Sequence, residues 1–365
     1  MGRIRVGALA VGLIGVVVLS GCAVAPAAST KTSPPTSASS PPTPTPTPAA
    51  IVAPTSRIPL DCSAIVDPTA IAAIEPTLTL TATDPLSPPY TRQVMWEQAG
   101  NLTCYWDTPD KRTDSATLTV SGDAADGLEV TKRSDVPSLD VGDASWGVCG
   151  PKGAGCAASV VAGGYWFDIQ IGQITNNKQS SIDVVRALAA SVASHLAAAG
   201  PALPAWQPPP TIWSPVISCK DLRAALPMTD VMAPGPATSV NQWNGPGDES
   251  PINNWTTRSE AFYNCAWDWT NTPANEGTLV VQIVPSGEWV LPQLESSPGV
   301  MSTPLTVSGA TASTYRCAAD RGCWADAIID HSWVQVSGTS TVLPDEQVKL
   351  TKAITALAAY AASKK

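Results

Sequence analysis

Nine cysteines and two histidines are the residues of this 365-residue chain whose types could do chemistry. One stretch repeats: Cys104-Tyr105-Trp106-Asp107 and Cys265-Ala266-Trp267-Asp268 both read Cys-x-Trp-Asp. Zinc would want Cys pairs two to four residues apart with histidine partners. The close pairs here, Cys149/Cys156 and Cys317/Cys323, are spaced 7 and 6, with no histidine beside them. A thioredoxin-like Cys-x-x-Cys is absent. Nucleophilic catalysis would need a base in reach of a hydroxyl or thiol. Asp330-His331-Ser332 has the letters of a triad, but read as part of a strand it turns His331 away from both neighbours. The corresponding position in the other half of the chain is Gly164, and His195 falls near the end of a helical segment. No Gly-x-Ser-x-Gly, phosphate loop or His-Glu-x-x-His occurs. The expectation is a non-catalytic protein with no metal and no cofactor.

The elements that position the cysteines come in two sets. Cys62, Cys104, Cys149 and Cys156 are separated by 42, 45 and 7 residues; Cys219, Cys265, Cys317 and Cys323 by 46, 52 and 6. A tryptophan follows the second cysteine of each set by two residues (Trp106, Trp267) and the fourth by ten (Trp166, Trp333). This is the mark of a tandem duplication. In each copy a short helical region follows the first cysteine, with Asp67-Pro68 and Ser218 as start signals. A variable loop comes next; in the second copy it holds Trp243 and Trp255. Four strands are then expected, the last running through "CAASVVAGGYWFDIQIG" and "CWADAIIDHSWVQVSG". A final helix packs through Ile182, Val185, Leu188, Val192 and Leu196, or through Leu350, Ile354, Leu357 and Ala361. The order α-β-β-β-β-α predicts an α+β fold, two tandem copies of an antiparallel sheet with helices on one face. The copies span 58–200 and 215–365, joined by a Pro-rich linker at 201–214.

Ahead of them, residues 1–21 read as a signal peptide: Arg3 and Arg5, then an apolar run from Val6 to Leu19, too short for a span of ~20 residues. The run ends in Leu19-Ser20-Gly21-Cys22, which resembles the bacterial lipobox and implies lipidation of Cys22. Two or more acyl chains on one residue anchor stably. Residues 22–57 then form a Pro/Thr/Ser-rich stalk that favours extended polyproline II. The expected location is the extracytoplasmic face of a cell membrane, with the lipid anchor at Cys22 as the membrane partner. Net charge is −9, and acids outnumber Lys and Arg by 16 to 8 in residues 58–200 and by 14 to 9 in 211–365. Neither half offers a basic stripe for phosphate backbones, so nucleic acid is not an expected partner.

A signal peptide with lipobox, a Pro/Thr stalk and domains with this cysteine and tryptophan spacing resemble uncharacterised actinobacterial cell-envelope lipoproteins. They are also similar to the extracellular sensor domain of some mycobacterial serine/threonine kinases. The resemblance implies a sensor-like α+β domain with two disulfides and brings no catalytic residues. An even count of cysteines beyond Cys22 and an oxidising compartment favour disulfides. Four cysteines allow three pairings per copy; reading "CGPKGAGC" and "CAADRGC" as hairpin turns favours Cys149–Cys156 and Cys317–Cys323, leaving Cys62–Cys104 and Cys219–Cys265.

That pairing points Cys104 and Trp106, and Cys265, Trp267 and Trp269, at the helix side. Asp107 and Asp268 face the opposite, open side. On the last strand, Val161, Tyr165, Phe167, Ile169 and Ile171 make the apolar face, with Trp166, Asp168 and Gln170 opposite; in the second copy Val334 and Val336 oppose His331, Trp333 and Gln335. The candidate binding residues are therefore Asp107, Trp166, Gln170, Asp268, Trp333 and Gln335, a flat face suited to a cell-wall glycan, a lipid or an envelope protein. The competing readings are a structural or scaffold protein whose two copies pack together on these faces, and, third, an enzyme of unrecognised type. An open Trp166/Trp333 face would favour binding; a buried one, the scaffold.

Overall fold

The computed structural model describes residues 52–365 apart from 82–90, 109–114, 133–134, 151–154, 173–180, 214–216, 232–238, 243–250, 253–255, 257–262, 273–274, 297–298, 319–321 and 341–344. The signal peptide, Cys22, most of the stalk, and Trp243 and Trp255 lie outside the described residues, as does the Trp269 side chain.

The helices start where short polar side chains can accept from free amide groups. Asp61 accepts from Ala64 N at 2.9 Å to open α1 (Cys62–Ile65), and Asp67 from Thr69 N at 2.8 Å to open α2 (Pro68–Ile74). Ser218 accepts from Asp221 N at 3.1 Å ahead of α6 (Cys219–Ala225), which α7 (Met228–Val231) follows. The Asp67-Pro68 and Ser218 signals are thus helix starts.

The first sheet contains β1 (Thr79–Thr81), β2 (Leu102–Asp107), β3 (Ser115–Ser121), β4 (Ala144–Cys149), β5 (Cys156–Ala162) and β6 (Tyr165–Ile171), in the order β1-β2-β3-β6-β5-β4. The second contains β7 (Ser239–Gln242), β8 (Tyr263–Thr272), β9 (Asn275–Val284), β10 (Val300–Pro304), β11 (Ala312–Ala318), β12 (Gly322–Ile329) and β13 (Ser332–Ser340), in the order β10-β11-β12-β13-β9-β8-β7. Every pairing is antiparallel. Read from the β1 and β7 ends, the orders coincide strand for strand, and β10 is an addition to the second sheet. The fold is α+β, two tandem antiparallel sheets with helices.

On the near face of the first sheet, α5 (Ile182–Ala199) lays Val185, Leu188, Val192 and Leu196 against Leu118, Val160, Phe167 and Ile169. On the second, α9 (Glu346–Ala362) lays Leu350, Ile354, Leu357 and Ala361 against Leu279, Val281, Ala325, Val334 and Val336. Burying each such aliphatic side chain contributes about 1.5–3 kcal/mol. Trp106 and Trp267 are in these cores beside the disulfides. The cysteines pair as Cys62–Cys104, Cys149–Cys156, Cys219–Cys265 and Cys317–Cys323.

Two expectations are corrected. Each long last strand is two strands joined by a two-residue turn. Gly163 and Gly164 make it in the first copy (φ 62° and 84°), Asp330 and His331 in the second (φ 49° and 62°). Positive φ at both central positions is the type I′ geometry that matches strand twist. The fold-back reverses the face of everything before the turn. Val161 therefore pairs with Trp166 and packs beside it, not with Tyr165 and Phe167. Second, the variable loop of the first copy includes a helix, α3 (Thr91–Gln98). The described part of the joining segment, 201–213, is held down by hydrogen bonds and packing. Leu203 N donates to Arg57 O at 2.8 Å, and Ser286 Oγ donates to Pro209 O at 2.7 Å. Trp213 is fully buried in the second core, its Nε1 donating to Ile329 O at 3.1 Å. Residues 50–365 accordingly form one compact unit.

Candidate functional site

The far faces of the two sheets carry the candidate residues, and both faces are covered at their tryptophan ends. Trp166 and Trp333 are fully buried. The open-face expectation is therefore overturned for these two, and for Gln335, which is buried with them. The first cover is local. After β3 the chain turns into α4 (Ala124–Thr131), whose Ala124, Leu128 and Val130 pack on Trp166 and Val161. Gly127 makes this approach achievable: a Cβ there would stand 2.4 Å from Trp166 Cγ. After β9, the corresponding strand, the 3-10 turn Gly287–Val290 and α8 (Leu291–Glu295) pack on Trp333. Gly287 lies against it, a Cβ there falling 3.1 Å from Trp333 Cβ.

The second cover comes from the other copy. Val94 and Met95 of α3, both fully buried, join Val284, Trp289, Leu294, Ile328 and Trp333 of the second copy. Gln98 Nε2 donates to Pro285 O at 2.9 Å. In return Ile252, from the second copy, is buried on Trp166 and Val161, and its N donates to Asp168 Oδ2 at 2.8 Å. The two crossing segments leave from equivalent places, between β1 and β2 and between β7 and β8. They meet where Asn101 Nδ2 donates to Thr256 Oγ1 at 3.0 Å. The copies thus exchange arms, each finishing the far face of its partner sheet.

Beneath the arms a polar row crosses each sheet in register. In the second sheet it runs Asn264, Gln282, Gln335, Asp326, Thr314; in the first, Thr103, Thr119, Asp168, Ser159, Trp146. The carboxylate has changed strand between copies. Trp166 Nε1 donates to Ser159 Oγ at 2.8 Å, which lies 3.2 Å from Thr131 Oγ1, while Trp333 Nε1 donates to Asp326 Oδ1 at 2.8 Å. Asp326 also accepts from Gln335 Nε2 at 3.1 Å and from Arg316 Nε at 2.8 Å. Arg316 and Asp326 are both enclosed, a buried ion pair, and the guanidinium stands 5.6 Å from the Trp324 ring centre. Sequence reasoning placed the tryptophans on the correct side of their strands. It missed Arg316 and Asp326, for which the duplication offered no signal: the equivalent positions in the first copy are Val148 and Ser159.

Away from the tryptophans the far face remains half-exposed. Gln170, Asp107 and Asp268 lie at this end. Asp107 Oδ2 accepts from Thr81 Oγ1 at 3.1 Å and Asp268 Oδ1 from Thr278 Oγ1 at 2.6 Å. Tyr105 stands in the same cross-strand row as Gln170, through Thr117. Burial, with the Asp107 charge second, pushes its phenol above the usual value, so it stays a donor.

The histidines are structural in their geometry. His195 Nδ1 is 2.7 Å from Ile65 O, tying α5 to α1. His331 sits in the β12–β13 turn, not in a strand, so the alternation used to turn it from its neighbours does not apply. Its Nδ1 is 2.9 Å from Glu288 Oε2. Asp330 instead accepts from Ile212 N at 2.6 Å and pairs with Lys365, and Ser332 Oγ is 2.8 Å from Thr211 Oγ1. Among the described residues no group of three His, Cys, Asp or Glu is placed to hold a metal ion. No family model, curated protein or solved structure matches the chain.

Proposed function

We propose that the chain is a lipid-anchored, extracytoplasmic, non-catalytic protein that serves as a structural or interaction module of the cell envelope. In this reading it is held at the membrane by Cys22 and raised on its Pro/Thr stalk. The observation that carries it is the arm exchange: the faces that would have cradled a ligand, around Trp166 and Trp333, are filled by local helices and then by the other copy. What is left to present is an outer surface on a cross-braced two-sheet body. Four disulfides suit an oxidising compartment, and the lipobox-like Leu19-Ser20-Gly21-Cys22 suits anchoring there.

Ligand recognition of the sensor type is the second reading, favoured by the half-exposed end of the first sheet, where Tyr105, Gln170 and Asp107 offer donors and acceptors on one face. Two measurements separate the readings. Wild type should fractionate with membranes and Cys22→Ala should leave them; a Cys22→Ala protein that stays membrane-bound overturns the anchor. In a thermal-shift screen against wall glycans and lipids, the scaffold reading expects no change in Tm. A rise of several degrees that Gln170→Ala abolishes would establish the ligand reading instead.

A further inference from the structure

We propose that Cys317–Cys323 is a thiol–disulfide exchange site: a cystine that an external dithiol reduces reversibly while the fold stays intact. The two kinds of disulfide in each copy are built differently. Cys317 and Cys323 face each other in the β11–β12 register, and that register runs from Ala312↔Ile328 to Ala318↔Gly322 without them. Cys149 and Cys156 likewise close a register that begins at Ala144↔Val161. The strands are already joined by their ladders, and the loops closed hold only 6 and 7 residues of separation, so each bond removes less chain entropy than one closing a long loop. Cys62–Cys104 and Cys219–Cys265 instead fasten a helix to a strand across separations of 42 and 46.

Access divides the two cystines of the second copy in the same way. Cys317 and Cys323 are both half-exposed, and Gly322 beside them has open space where a side chain would stand. Cys219 and Cys265 are both buried, at 2% and 1% exposure, in the core that also holds Trp267. Exchange needs in-line approach of a thiolate to a sulfur, so within the second copy it favours the hairpin cystine; in the first copy each cystine pairs one partly exposed cysteine, Cys62 or Cys149, with a buried one. One thiolate of the dithiol attacks a cystine sulfur, the S–S bond breaks, and the other cysteine leaves as a thiolate and takes a proton. The second thiol of the reductant then displaces the remaining cysteine. Two electrons and two protons pass to the protein, and the reductant departs as a disulfide.

The test uses the mature chain under native conditions in a dithiothreitol series, quenched with N-ethylmaleimide and mapped by mass spectrometry. Cys317 and Cys323 should be alkylated at least about ten-fold faster than Cys219 and Cys265, with far-UV circular dichroism and tryptophan emission unchanged. Removing the reductant should restore the bond. Equal rates for the two cystines overturn the proposal, as does loss of structure in step with Cys317–Cys323 reduction. A Cys317→Ser/Cys323→Ser variant should fold, keep its Tm within a few degrees and lack the fast phase; failure to fold would show a structural staple and end the proposal.

Discussion

At the scale of the residue, the far face shows how a duplicated site diverges while its two indole N–H groups keep acceptors. Trp166 and Trp333 occupy equivalent places and both indoles donate, one to a hydroxyl and one to a carboxylate. Each copy buries a carboxylate: Asp168 of the first accepts from Ile252 N, while Asp326 of the second takes a cationic partner. Arg316 supplies it at 2.8 Å. In the first copy the same position is Val148, half-exposed at the edge of its sheet. In the second, β10 lies outside β11, opposite Arg316 at Ser302, and the arginine is enclosed. Asp326→Asn should therefore cost about 3–5 kcal/mol, since it strands a buried guanidinium. The double variant Arg316→Val/Asp326→Ser, which puts the first sheet's residues at these two positions, should lose clearly less. Denaturant unfolding of the two variants checks this, and a double variant as weak as the single would refute the coupling. The repeated Cys-x-Trp-Asp told which way Cys104, Trp106, Cys265 and Trp267 point, because side chains alternate along a strand. The Arg316–Asp326 pair was illegible because it is present in one copy only and its partners meet across β11 and β12.

At the scale of the element, the turns and the arms decide what is open. The Gly163-Gly164 pair is a hairpin signal, but it sits within an unbroken run of strand-forming residues that reads equally as one long strand. Asp330-His331 has no glycine, and its left-handed backbone is held by context: Asp330 by Lys365 and Ile212 N, His331 by Glu288. The helical nature of α3 was hidden for a related reason. Its apolar residues, Val94 and Met95, face the second copy rather than its own sheet, so no periodicity of the first copy calls for them. The same helix holds Glu97, whose carboxyl burial pushes up to about 7. The sign follows. Between pH 4.5 and 7 the folded chain keeps a proton that the unfolded chain has released, so stability falls across that window and is level above it. Glu97→Gln removes the penalty. The variant should be more stable than wild type at pH 8 by about 1–2 kcal/mol, allowing for the solvent that reaches this half-buried side chain, and no different below pH 4. Chemical denaturation at the two pH values measures it; a variant weaker than wild type at pH 8 would show that the charged form is favoured in place.

At the scale of the whole molecule, the duplication has become a fusion. Each copy has its own near-face core and final helix, which is why fold class, disulfides and repeat were legible from spacing alone. The far faces are shared property, and sharing leaves no mark in the sequence of either copy taken singly. Val94 and Met95 complete a cluster around Trp333, Ile252 completes one around Trp166, and the segment joining the copies is pinned through Leu203, Pro209 and Trp213. Surfaces buried this way couple the stabilities of the parts they join. Met95→Ala, a change in the first copy, should cost about 2–5 kcal/mol and lower one common thermal transition rather than split it. Native-state hydrogen exchange should show the loss on the other side of the junction, with faster exchange at Ile328 and Trp333 of the second copy as well as around α3. Two separated transitions, with only the first copy shifted, would mean that the copies fold alone and merely touch. The far faces could then open for a ligand, and the scaffold reading would give way to the binding one.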